Sequence, residues 1–92
     1  MKQQRLHIDG IPSILWGDKS DKLYIHVHGK MSQKEHAESF AEIAESKGFQ
    51  TLSFDLPEHG ERQNEADRCD IWNGMRDLKK IADWAFTQYE DI

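Results

Sequence analysis

The sequence predicts an α/β domain with the element order β-β-β-α-β-α: a mixed four-stranded sheet that opens on an N-terminal hairpin and carries helices packed on it. Three observations carry this expectation. Asp9-Gly10 separates two short, weakly alternating runs, and this dipeptide suits the tight hairpin turn whose central residues both take positive φ. An apolar run from Lys22 to His28, a helical stripe and a second strand-like run from Thr51 to Leu56 follow with short joins, as in a parallel βαβ unit. A last amphipathic stripe begins after Asp70.

Taken in order, Gln3 to Ile8 places Leu6 and Ile8 on one face, and the return strand runs to Trp16. Pro12 falls at the start of that return strand, where its missing N–H matters least. GDKSD, Gly17 to Asp21, is a turn cluster. In the third strand Leu23, Ile25 and Val27 point to one face and Tyr24, His26 and His28 to the other, a composition suited to a strand covered on both faces. Ser32 to Lys47 predicts a helix: Ser32 and Glu35 form an S-x-x-E capping box, Ala37, Phe40, Ala41 and Ala44 form the apolar stripe, and Gly48 stands where a left-handed C-cap belongs. Leu52, Phe54 and Leu56 then alternate with Thr51, Ser53 and Asp55 as a fourth strand. Asp70 caps the last helix, whose core stripe reads Ile71, Met75, Leu78, Ala82, Ala85, Tyr89, leaving Trp72 and Trp84 on its outer face.

A chain of 92 residues suits one small domain, spanning 1–92, with a modest core. With 37% hydrophobic and 32% charged residues, a formal net charge of -5 and no basic block, the composition argues against nucleic acid or an anionic membrane surface as partner. No apolar run is long enough to span a bilayer, and MKQQRLHIDG has no signal-peptide core, so the cytoplasm is the expected compartment. Cys69 is the single cysteine, which leaves no internal disulfide and no cysteine-based zinc cluster.

With the strands placed, two motifs stand out: His28-Gly29 directly after the third strand, and Asp55-Leu56-Pro57-Glu58-His59-Gly60-Glu61-Arg62 after the fourth. Together, in this order and one βα unit apart, they resemble α/β-hydrolases. The first is similar to that family's oxyanion-hole turn, which would give the backbone N–H of Lys30 the role of oxyanion donor. The second is similar to its Asp-x-x-Gly-His-Gly-x-Ser loop, with Glu58 in place of the usual Gly and Arg62 where Ser is common; the resemblance makes Asp55, His59 and Gly60 structural. It implies the amino-terminal segment of a serine hydrolase acting on an ester, thioester or amide of a small substrate. None of Ser13, Ser20, Ser32, Ser39, Ser46 and Ser53 sits in a G-x-S-x-G elbow, so nucleophile, acid and catalytic histidine are absent and the chain alone is expected to be inactive, with no cofactor.

Three other readings compete with this one. His26 and His28 on one strand face, with His36, His59 or Asp55 as a third group, could ligate zinc, although an isolated H-x-H on a strand is more commonly a pair of hydrogen-bonded structural histidines. Cys69 and His59 could pair as thiol and base, but only nearness in sequence supports that, and a structural cysteine is the default. The remaining alternative is a small interaction module. The resemblance implies that Leu23 to His28 is an open sheet edge in this chain, a template for a second copy, and a homodimer is therefore expected.

Overall fold

The computed structural model describes residues 1–64 and 67–92. Strand β1 spans Gln3–Ile8 and β2 Ile11–Trp16, joined through Asp9 and Gly10 at φ of 50° and 81°, the positive pair that the hairpin signal called for. Then come β3, Leu23–Val27; a single 3-10 turn, Lys34–Ala37; helix α1, Glu38–Ser46; β4, Gln50–Phe54; a second 3-10 turn, Gly60–Arg62; and helix α2, Ile71–Gln88.

The sheet is mixed and four-stranded, in the order β1-β2-β4-β3. Both β1–β2 and β2–β4 are antiparallel, and β3 runs parallel to β4 with Ile25 opposite Leu52. The element order and the βαβ unit are as predicted. Side-chain alternation divides the core between the two faces. On one face Ile14 and Trp16 pack with Ala37 and Ala41, at the α1 side; on the other, Ile8, Leu23, Leu52 and Phe54 pack with Ile81 and Ala85 of α2. Helices therefore cover both faces of β4, which is why all five of its residues are buried.

Four expectations need correction. The third strand is not covered on both faces: β3 is the sheet edge, and Tyr24 and Val27 are exposed. The capping box does not form, because Glu35 is taken by Arg5 and Lys34; the helix begins instead with the 3-10 turn at Lys34, and Ser32 Oγ meets His36 Nδ1 at 2.6 Å. The C-terminal end behaves as expected, with Gly48 at φ 83° and its N–H donating to Glu45 O. The buried face of α2 is Asp77, Ile81 and Ala85, while Ile71, Met75 and Leu78 are exposed. Trp84 is correspondingly not an outer residue: it is half-buried against the α2-side core and faces the Tyr89 ring at 6.4 Å. Trp72 is exposed as expected, and Asp70 caps α2 by accepting from Asn73 N–H at 2.8 Å.

The edge is also shorter than Leu23 to His28. Asp91 O accepts from Leu23 N–H at 2.8 Å, and a parallel bridge joins Lys22 to Asp91, so the chain's own last residues cover the start of β3. Alternation along the strand leaves Ile25 and Val27 with backbone groups turned outward. No helix among the described residues is long and apolar enough to cross a membrane.

Candidate functional site

The two motifs meet at the C-terminal ends of the parallel strands β3 and β4, the end where α/β sheets commonly place ligands. After β3 the chain turns through Gly29–Ser32, closed by Ser32 N–H donating to Gly29 O at 3.2 Å. Met31, the third residue of that turn, has φ 62°, a left-handed conformation unusual for a non-glycine residue and costing about 1–2 kcal/mol. Glu58 in the facing loop has φ 68°. Lys30 is exposed, and none of the described residues accepts from its N–H.

Two histidines pin these loops together. His28 is buried; its Nε2 accepts from Leu56 N–H at 3.0 Å while Nδ1 lies 2.8 Å from Gly29 O, so the ring is the neutral Nδ1–H tautomer. Burial holds this imidazole below its ordinary value, against the opposing pull of the Gly29 carbonyl. His59 is arranged alike: Nε2 accepts from Met31 N–H at 3.3 Å and Nδ1 donates to Pro57 O at 2.9 Å. The two rings lie 4.9 Å apart. His59 thus fixes the strained residue of the turn and has no lone pair left for a nucleophile.

Asp55, fully buried just past β4, is the second tie. Its carboxylate accepts from Lys34 N–H at 2.9 Å, from Lys34 Nζ at 2.7 Å and from Glu61 N–H at 3.0 Å. Lys34 is itself buried and also meets Glu61 at 2.6 Å and Glu35 at 3.3 Å. Burial lowers the ammonium, but its hydrogen bonds to Asp55 and Glu61 outweigh it and hold Lys34 above its usual range. Glu35 moves the other way: burial raises it, and the hydrogen bond from Arg5, with the Lys34 charge, brings it below the ordinary carboxylate value. Arg62 extends the network, donating to Asp55 O at 3.1 Å and to Asp77 in the buried face of α2. Gly60 closes the site: a Cβ there would fall 2.3 Å from Asp55 Oδ1, and its φ is 54°.

His28, Gly29, Lys30, Asp55, His59 and Gly60 are therefore brought together, whereas the competing constellations are not. Both His28 nitrogens are engaged within the protein, so the His26–His28 zinc pair is unavailable, and among the described residues no group of three or more His, Cys, Asp or Glu could hold a metal ion. Cys69 is an exposed free thiol whose N–H donates to Glu58; burial pushes the thiol up, opposite to an activated nucleophile, and His59 has no free nitrogen to serve as its base. Sequence reasoning missed Lys34, Glu61 and Asp77, and it saw Arg62 only as a departure from the family pattern. That misfit, an Arg where Ser is common, marks the residue that joins Asp55 to Asp77.

Comparison with solved structures agrees with this fold. TT1662 from Thermus thermophilus superposes with a TM-score of 0.75 at 22% identity, covering 94% of this chain and 41% of that one. A thioesterase domain from the curacin biosynthetic pathway gives 0.70 at 17% identity, covering 91% and 33%. The chain has an α/β-hydrolase-like fold. A cold-adapted esterase from an Arctic intertidal metagenomic library matches a shorter stretch at 31% identity, with a TM-score of 0.55 and 65% and 29% coverage. No family model and no curated protein matches the chain. It spans less than half the length of each of these structures.

Proposed function

We propose that this chain is the oxyanion-turn segment of an α/β-hydrolase that cleaves an ester, thioester or amide bond of a small substrate, with the nucleophile supplied from outside these 92 residues. One observation carries the reading: Lys30 is exposed on a strained turn at the end of β3, its N–H without an acceptor among the described residues, and the turn is held by His59 and backed by the Asp55 network. In that role the N–H donates to the carbonyl oxygen as attack by the nucleophile turns it into an oxyanion. The esterase and thioesterase among the fold's relatives support this substrate class.

Lys30 is the second residue of its turn, where proline is readily accommodated, so Lys30→Pro deletes the donor and keeps the turn. Grafted in place of the matching segment of the cold-adapted esterase, the chain should support hydrolysis of p-nitrophenyl butyrate, and Lys30→Pro in the folded chimera should lower kcat about 100- to 1000-fold. A folded chimera indifferent to Lys30→Pro refutes the assignment.

A second reading concerns assembly. The outward-turned backbone of Ile25 and Val27 on β3, with Val27 also walling an apolar hollow of about 290 Å³ beside Phe54, Ile71, Met75 and Leu78, favours edge-to-edge pairing with a second copy. Light scattering at high micromolar concentration should report a dimer that Val27→Lys dissociates; a monomer throughout excludes it.

A further inference from the structure

At the opposite end of the sheet, where β4 begins, a groove of about 700 Å³ lies between the start of β1, the end of β2 and the C-terminal turns of α2. That volume falls in the range of small-molecule sites. Its apolar wall is Leu6, Leu15, Trp84 and Tyr89. The wall is preformed: Tyr89 Oη donates to Gln50 Oε1 at 2.7 Å, and Gln50 Nε2 in turn donates to Gly17 O at 3.2 Å. The charged residues lining the groove are Lys2 and Lys19, with no carboxylate, in a chain whose net charge is -5. Among the described residues Lys2 pairs only with Asp18, at 3.8 Å with both side chains exposed, and Lys19 makes no ion pair. Two lysines on the lining, partly offset by Asp18 beside Lys2, at an aromatic-lined recess of this size suit an apolar ligand that carries a negative charge.

We infer that this groove binds a small organic monoanion, an aryl or branched apolar body bearing one carboxylate, with the body against Trp84, Leu6 and Leu15 and the carboxylate toward Lys2 and Lys19. The site is separate from the Asp55–His28 end and stands whether or not the hydrolase reading holds.

The test is an amide-resolved NMR titration of the whole chain with sodium 4-phenylbutyrate, alongside the uncharged 4-phenylbutan-1-ol. Saturable shifts should appear at Gly17, Lys19, Leu15 and the Trp84 indole, with the alcohol binding more weakly. The double variant Lys2→Gln/Lys19→Gln changes two exposed side chains, which spares the fold, and should weaken the acid about fivefold while leaving the alcohol unchanged. Acid and alcohol binding alike, shifts centred on the Val27–Met75 hollow, or no saturation at millimolar acid would each overturn the assignment.

Discussion

Replacing Gly60 by alanine tests the geometry on which the site rests. The new Cβ would lie 2.3 Å from Asp55 Oδ1 and 2.4 Å from Oδ2, about 1 Å inside any tolerable contact. The carboxylate has nowhere to retreat without loss, since it is fully buried and accepts from Lys34 N–H, Lys34 Nζ and Glu61 N–H at 2.7–3.0 Å. Losing one or two hydrogen bonds to a charged group costs about 1.5–3 kcal/mol each, and a left-handed alanine adds about 1 kcal/mol. The sum, about 2.5–7 kcal/mol, compares with a total of about 5–14 kcal/mol for a domain of this length. Gly48 supplies the control: its φ is 83°, but an added Cβ meets nothing within 4 Å, so Gly48→Ala should show the backbone cost of about 1 kcal/mol alone. Urea unfolding followed by circular dichroism, with an unchanged m-value, gives both numbers. If the two alanine variants agree within about 0.5 kcal/mol, the carboxylate is not held as described.

His28 and Glu35 together predict acid sensitivity. His28 lies below its ordinary 6.5, so its stabilising contribution is complete above that pH and is lost as the pH falls through the lowered folded-state value. Glu35, below its ordinary 4.5, adds a second loss at lower pH by the same sign. Thermal melts from pH 8 downward should therefore show two declines, and His28→Gln should abolish the first; a first decline that survives the substitution assigns it elsewhere. Thr51→Val concerns the opposite kind of group, since Thr51 Oγ1 is buried with no hydrogen-bond partner among the described residues. Removing that hydroxyl at nearly constant volume should stabilise the protein by about 1 kcal/mol in the same urea assay, and a loss of stability would mean that the hydroxyl is satisfied.

The local signals in the sequence were readable wherever chemistry acts between near neighbours. Asp9-Gly10 makes its hairpin turn, Gly48 its C-cap and Asp70 its N-cap, because each depends on residues within one turn of itself. The failures involve long-range charge. Glu35 suits a capping box until Arg5 and Lys34, brought in by the fold, claim it. An apolar stripe through Ile71 and Met75 looks like the core face of α2, but the buried face instead carries Asp77, paired with Arg62, beside Ile81 and Ala85. Binary patterning assigns lysine and aspartate to water, so a core-facing ion network is invisible to it.

That network explains how an exposed turn can hold a fixed shape. Lys34 N–H and Glu61 N–H donate to the same Asp55 carboxylate, so the segments that follow β3 and β4 share one anchor. His28 and His59 add a bond in each direction, from the end of β3 to Leu56 and from the Asp55 loop back to Met31. Left-handed Met31 costs about 1–2 kcal/mol, while each hydrogen bond to the carboxylate returns about 1.5–3 kcal/mol. The ties therefore outweigh the strain, and Lys30 N–H points where the buried ions fix it rather than where a free turn would relax. A perturbation of Asp55 should reach Lys30 even though the two residues share no hydrogen bond.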